Sequence, residues 1–267
     1  LVQGVSLQQA GRPAEAQEAV ETALRIGTEL GNRGMVAKLN RGLLLIYLWK
    51  GELELVREKG LEVRGMAGEL GDPQLMFWVE WTLAAAAGLR GNTDELQLRT
   101  QELERLADRA RSPGLRLWAT ELSLEWAYES GAWDLGLGIG EQAASLGRAL
   151  NERTILPRIL VTLALIYMGR GETDRARALV DEAWEISGAD GVASGVEFLN
   201  VHTVVPAHIG RAALFNAEGD WEGAIAVAEA GVEVADRTGY VIWGIHRLLP
   251  VLTVAYLYSG RIPEAEA

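Results

Sequence analysis

The sequence predicts an all-α fold, a solenoid of about seven antiparallel helix pairs of which the last is truncated. Glycines recur at a constant interval of 40 residues, at Gly11, Gly51, Gly91, Gly131 and Gly171. After one longer unit the pattern resumes at Gly219 and Gly260. Each of these anchor glycines is followed by a helical pattern, as in GRPAEAQEAVETAL. A fixed period of this kind indicates a stack of similar supersecondary units.

The first unit, which begins at Gly11, shows how one helix pair is encoded. Pro13 stands at the expected helix start, where its missing N–H is not needed. Apolar residues then recur at helical spacing, and glutamates fill the positions between them. Gly31 and Asn32 end this helix, and a second, more apolar helix from Val36 leads to the next anchor glycine. Two helices joined by such a tight turn form an αα-hairpin.

The later units follow the same order. Turn residues stand about 20 residues after the anchor glycines, at Gly71-Asp72-Pro73, Ser112-Pro113-Gly114, Asn151, Gly188 to Gly191 and Gly239. The unit from Gly171 to Gly219 is longer, with 48 residues. Its Pro206 predicts a kink or break near Val205, because proline removes a hydrogen bond and clashes with the preceding turn. The added residues are either a harmless insertion or a binding feature beside a groove.

Composition narrows the possible functions. The chain is 49% apolar and 23% charged, which favours a packed core over disorder. It has no cysteine, so disulfides and thiolate metal sites are excluded. A net charge of −12 argues against direct nucleic-acid binding, because phosphates need a basic face. No apolar run approaches the ~18–20 residues of a membrane span, and we expect a cytoplasmic protein without membrane contact.

The ends of the chain lack the polar features of capping repeats. We therefore expect one solenoid domain over residues 1–267 that is a fragment of a larger protein. The native oligomeric state is left open.

Small and aromatic residues recur at fixed distances from the anchor glycines. An aromatic residue stands four positions before several of them, at Tyr47, Tyr167, Phe215 and Tyr256. Alanine stands five positions after several of them, at Ala16, Ala176, Ala224 and Ala265. This pattern resembles the tetratricopeptide repeat over essentially the whole chain, and the resemblance implies a right-handed superhelix.

The 40-residue unit is longer than the ordinary tetratricopeptide unit of about 34 residues. Lengthened units of this size are similar to those in the C-terminal superhelix of the maltose-regulon activator and related large ATP-binding bacterial regulators. In that family the array follows a signal-transduction ATPase and senses an inducer or holds the protein inactive.

Tryptophans supply the candidate binding residues. Trp78 and Trp118 share one repeat position, and neighbouring units place basic residues there. The resemblance implies that the first helix of each pair lines a concave groove. We place in that groove Lys38, Arg41, Trp78, Trp81, Trp118, Glu121, Arg158 and His202. Indole faces stack on sugar rings or aromatic groups while fixed charges select polar substituents. The alternative is that the tryptophans are core residues between repeats.

Catalytic and cofactor motifs are missing from the sequence. There is no GxxxxGK[ST] phosphate loop, and the three histidines lack metal-ligand spacing. The GLGIG run at 136–140 superficially resembles a dinucleotide fingerprint but falls where the period demands a helix. We expect neither enzyme activity nor a cofactor or metal. An α/α-toroid glycosidase is disfavoured, because such rings close in about twelve helices and this array is open.

The expected function is that of a sensor or interaction domain of a bacterial regulatory protein, which binds a small inducer or a partner protein in the groove. The alternative is a general protein–protein interaction scaffold that recognises a peptide or helix. A compact apolar pocket near Trp78 and Trp118 would favour the first function. A long open groove would favour the second.

Overall fold

The computed structural model describes residues 12–191, 200–240 and 244–266. These ranges contain thirteen α-helices, namely α1 Pro13–Glu29, α2 Arg33–Trp49, α3 Leu53–Leu70, α4 Pro73–Leu89, α5 Thr93–Ala110, α6 Pro113–Glu129, α7 Trp133–Ala149, α8 Leu156–Gly169, α9 Thr173–Ser187, α10 Val201–Glu218, α11 Trp221–Thr238, α12 Leu249–Tyr258 and α13 Ile262–Glu266. A 3-10 turn follows α9 at Ala189–Gly191, and a π-helical turn at Gly244–Leu248 leads into α12. None of the described residues forms a strand, and the predicted all-α fold of consecutive helix pairs is confirmed.

The predicted turns lie where the glycine pattern places them. Gly51 has a φ of 77°, a left-handed conformation that glycine adopts without the steric cost of a Cβ. The other described anchor glycines also have positive φ, at Gly91, Gly131, Gly171, Gly219 and Gly260. The following helices often begin at a capping side chain, as where Asp72 accepts a 2.9 Å hydrogen bond from the Leu75 N–H. These local signals explain why the helix boundaries could be predicted.

Odd- and even-numbered helices differ in how much surface they bury. Helix α3 buries a single stripe of small and apolar residues, including Val56 and Val63, and exposes its other faces. Helix α4 instead buries 11 of its 17 residues. The difference arises because even helices also contact one another, α2 with α4, α8 with α10, and α10 with α12. The predicted binding residues all lie on even helices. These are the second helices of the pairs counted from the anchor glycines, whereas the groove was expected on the first helices.

The helices divide into two compact units, Leu1–Trp126 and Ala127–Ala267. The core of the first unit combines apolar side chains of α4, α5 and α6, among them Phe77, Leu103 and Leu122. In the second unit α8 and α10 are buried over most of their length. The single-domain organisation expected from the period stays a prediction.

Helix α10 corrects one expectation. Of the predicted kink or break near Val205, the break does not occur, because α10 continues through Pro206. The kink stays a prediction. Pro206 stands in the second turn of the helix, so its missing N–H deprives only one carbonyl, that of His202, of its intrahelical hydrogen bond. The preceding residues 192–199 of this long unit lie outside the described residues.

Candidate binding surface

Three of the predicted groove residues form an aromatic cluster in the first unit. Trp78 and Trp81 lie one turn apart on α4, and Trp118 lies on α6. The ring centroid of Trp118 is 5.2 Å from that of Trp78 and 5.4 Å from that of Trp81, with interplanar angles of 73° and 80°. Phe77 makes a similar edge-to-face contact with Trp78 at 5.4 Å. Such pairs contribute about 0.5–1.5 kcal/mol each beyond the burial of their area.

The three indoles differ in exposure. Trp81 is only 4% exposed and belongs to the core of the unit. Its position agrees with the alternative that the tryptophans are core residues. Its Nε1–H has no hydrogen-bond partner among the described residues. Trp78 and Trp118 are partly buried and pack on the same core with one side still accessible. We call Arg41, Trp78 and Trp118 the aromatic face.

Two of the predicted cations lie on α2 in different environments. The guanidinium carbon of Arg41 is 5.9 Å from the centroid of the Trp78 ring, a cation–π contact. Burial lowers the pKa of Arg41 below its ordinary value, although an arginine remains charged. Lys38 is exposed, and its Nζ lies 3.6 Å from a carboxylate oxygen of Asp72. Arg41 is therefore the cation that the aromatic face holds partly out of water.

Glu121 lies on α6 one turn after Trp118 and is 1% exposed. It is therefore part of the interior of the first unit, and its role in the predicted groove stays a prediction.

The remaining predicted residues, Arg158 and His202, lie in the second unit. Arg158 on α8 is 4% exposed, and His202 on α10 is half-buried. The Nδ1 atom of His202 is 3.2 Å from the hydroxyl oxygen of Tyr240, and the two rings are perpendicular. Desolvation, helped by the positive charge of Arg158, lowers the pKa of His202 to about 3. The imidazole is thus neutral at physiological pH.

A buried carboxylate on another side of α4 was missed at the sequence level. Glu80 is 2% exposed and accepts hydrogen bonds from Arg64 on α3 and from Arg99 on α5, the latter at 2.7 Å. These side chains border a groove of about 470 Å³, with Leu61 and Leu98 among its walls. A lone glutamate in the apolar segment of α4 was the available signal, because a buried charge needs partners.

A smaller groove of about 260 Å³ lies in the second unit around Tyr167, one of the aromatic positions of the repeat pattern. The Tyr167 hydroxyl donates to Glu141, and the guanidinium carbon of Arg175 lies 5.5 Å from the ring centroid. A third cavity of about 220 Å³, lined by Val36, Met66 and Leu70, lies in the first unit. None of these three cavities is bordered by Trp78 or Trp118.

Other chemistry finds no support in the part of the chain that the structure describes. It contains no group of three His, Asp or Glu side chains that could hold a metal ion. The GLGIG run lies inside α7, where Gly136 and Gly140 are buried helical residues, so it does not form a phosphate-binding turn. Across the described ranges, no helix is both long enough and apolar enough to cross a membrane.

Comparison with known proteins supports the repeat architecture. The model of the tetratricopeptide repeat family matches residues 1–22 and 157–182, the second match spanning most of α8 and part of α9. The crystal structure of BtubC (BKLC) from P. vanneervenii is similar with a TM-score of 0.53 and 18% identity, covering 80% of this chain and 85% of that chain. At this identity the likeness shows the fold alone. No curated protein sequence matches the chain.

The chain is therefore a tetratricopeptide-like helical repeat array. Repeats of this type generally mediate protein interactions and are generally non-catalytic.

Proposed function

We propose that the chain is a protein-interaction scaffold that holds a segment of a partner polypeptide against the aromatic face of its first unit. The observation that carries this proposal is the partial exposure of Trp78 and Trp118, whose rings contact each other and pack on the buried core of the unit. Large aromatic side chains that remain accessible beside an arginine have the composition of interaction hot spots. The rigid helix pairs beneath them would present these side chains at little cost in conformational entropy.

The ring geometry favours a polypeptide segment over a flat small molecule. Trp78 meets the rings of Trp81 and Trp118 edge to face, and Arg41 lies over the indole. A planar ligand stacked on the face of Trp78 that Arg41 covers would have to displace this arginine. Aliphatic or aromatic side chains of a partner can pack on the remaining accessible edges without such rearrangement.

A random peptide library displayed on phage, selected on the full chain, tests the proposal. Selected peptides should bind Trp118→Ala at least about tenfold more weakly, because loss of a hot-spot tryptophan costs 2 kcal/mol or more. The matched control is Trp221→Ala, which removes a partly buried tryptophan from α11 in the second unit. Circular dichroism would verify that both variants keep their helices. Equal binding to the wild type and to Trp118→Ala would contradict the proposal.

A second candidate is the sensing of a small polar inducer within a regulatory protein. The observation that favours it is the cluster of Arg158, His202 and Tyr240, where a half-buried imidazole is strongly desolvated. Thermal denaturation against a panel of sugars, nucleotides and amino acids would test this function. A ligand at 100 times its Kd should add about 2.7 kcal/mol to the free energy of unfolding. A shift that persists in His202→Asn would place the ligand elsewhere.

A further inference from the structure

We propose that Arg41 receives a carboxylate of the bound segment, so that the aromatic face selects acidic residues flanked by apolar ones. This inference rests on the proposed function and names the chemistry of the partner that it would bind.

The first support is the electrostatic isolation of Arg41. Within the described ranges its side chain makes neither an ion pair nor a hydrogen bond, and its one close interaction is with the Trp78 ring. Most other arginines of the same unit have carboxylate partners, even the largely exposed Arg33, which pairs with Glu69. Arg109 and Arg111 make no ion pair within the described ranges either, but both are exposed to water. A partly desolvated charge without a counterion lowers stability, so its presence here calls for a ligand that compensates it.

The second support is a further unpaired donor in the same cluster. The Nε1–H of Trp81 is buried without a partner among the described residues, and the Trp81 and Trp78 rings are 6.2 Å apart. Guanidinium and indole N–H groups can only donate, so the group that complements them is an acceptor. A carboxylate suits Arg41 best, because it accepts two parallel guanidinium hydrogen bonds.

Side chains near Arg41 would add positive charge and apolar contact to the binding of an acidic segment. Lys38 lies about one turn from Arg41 on α2, is exposed, and makes only a 3.6 Å ion pair with Asp72. Trp78 and Trp118 offer apolar surface next to these cations. The net charge of −12 would repel an acidic segment at long range, but screening limits that repulsion beyond about 8 Å at physiological ionic strength. Local contact with Arg41 can therefore decide the selectivity.

Two matched peptides test the inference. Acetyl-Leu-Glu-Leu amide and its neutral counterpart acetyl-Leu-Gln-Leu amide would be titrated to about 10 mM, which detects a millimolar Kd. The readout is the indole N–H signals of the full chain labelled with 15N-tryptophan. We expect the Trp78 and Trp81 signals to shift with an affinity about tenfold higher for the glutamate peptide, as for a charge-assisted hydrogen bond. Acetate alone should cause less than a tenth of that shift at equal concentration.

Two variants assign the effect. Arg41→Gln should abolish the preference for the glutamate peptide. Arg25→Gln changes the net charge equally, but on an exposed side chain of α1 whose guanidinium lies 3.8 Å from Glu29, and should keep the preference. Equal binding of both peptides, no shift with either, an equal response to acetate, or a preference that survives in Arg41→Gln would each overturn the inference. Library peptides that need Trp118 but show no enrichment in acidic residues would overturn it and leave the proposed function standing.

Thermal stability gives an independent readout. Arg41→Met removes an uncompensated charge but keeps a side chain that covers Trp78, so the melting temperature should rise by about 2–4 °C. Arg64→Met removes a guanidinium that pairs with the buried Glu80, and the melting temperature should fall. If Arg41→Met is destabilised as Arg64→Met is, Arg41 has a structural role and the inference fails.

Discussion

Gly169 lies so close to the Trp133 ring that adding a single methyl group at this position would disturb the packing. A Cβ added to Gly169 at the end of α8 would lie 2.6 Å from the indole Cη2 of Trp133. The indole cannot move freely, because its Nε1–H donates a 3.2 Å hydrogen bond to the Tyr128 carbonyl. We expect Gly169→Ala to lower the free energy of unfolding by about 1–3 kcal/mol, as overpacking does. Urea denaturation would measure it.

Gly138 provides the matched control for this substitution. It is an exposed glycine within α7, and a Cβ added there meets no atom within 4 Å. Gly138→Ala should therefore raise the free energy of unfolding by about 0.5–1 kcal/mol through helix propensity. If both substitutions stabilise the chain, the contact between Gly169 and Trp133 is looser than the structure has it.

The candidate residues show what a sequence pattern can and cannot predict at this scale. Trp78 and Trp118 share a repeat position, and their rings meet in the structure because position in a repeat fixes the face of a helix. Their role in a binding groove stays a prediction. Burial depends on which neighbouring side chains cover that face. The pattern therefore did not reveal that Glu121 and Arg158 are buried, or that Arg41 has no counterion among the described residues.

At the scale of helices, Glu80 holds three elements together. It lies on α4 and accepts hydrogen bonds from Arg64 of α3 and Arg99 of α5, so one carboxylate fixes how these helices pack. Glu80→Gln keeps the shape but removes the charge, and should lower the free energy of unfolding by about 1–3 kcal/mol because two guanidinium groups lose their shared anion. Glu102→Gln in the same groove breaks only a local pair with Arg105 and should change it by less than about 0.5 kcal/mol. If Glu80→Gln and Glu102→Gln change the free energy of unfolding equally in chemical denaturation, Glu80 does not hold the three helices together.

Helix boundaries were predictable because their signals are local. Glycines with positive φ and capping residues such as Asp72 act within a few residues of the turn they specify. Helix α10 departs from this rule, because its tertiary contacts with neighbouring helices outweigh the local cost of one lost hydrogen bond at Pro206. The hydrogen bonds of Glu80 join residues of three helices, so they could not be predicted from the sequence of any one helix.

At the scale of the molecule, periodicity determines the architecture and leaves the function open. Each helix pair packs on its neighbours, so the stability of the array is largely a sum of local terms. Side chains on accessible faces contribute little to that sum, and the period places no constraint on their chemistry. The partner must therefore be inferred from individual contacts, as with Arg41 and Trp78.

The whole chain should lose stability on acidification in two separate pH windows. The pKa of His202 falls from 6.5 to about 3 in the folded state. Between these two pH values the imidazole is protonated in the unfolded chain and neutral in the folded chain. Stability is then complete above pH 6.5 and is lost as the pH falls from 6.5 toward 3. Burial also lowers the pKa of His208 and adds to this loss. The pKa of Glu129 falls from 4.5 to about 2 through its hydrogen bond with His246 and the positive charge of Arg247, so its contribution is lost only below pH 4.5.

The histidine contribution can be isolated between pH 6.5 and about 5.5, where Glu129, with an unfolded pKa of 4.5, stays largely ionised in both states. Melting temperatures of the wild type should fall over this interval. In His202→Asn the amide can still reach the Tyr240 hydroxyl but carries no titrating group, so the melting temperature should fall less steeply. Because the comparison is of slopes, any uniform destabilisation by the substitution cancels. Parallel slopes in the two proteins would mean that His202 is solvated well enough to take up its proton in the folded state.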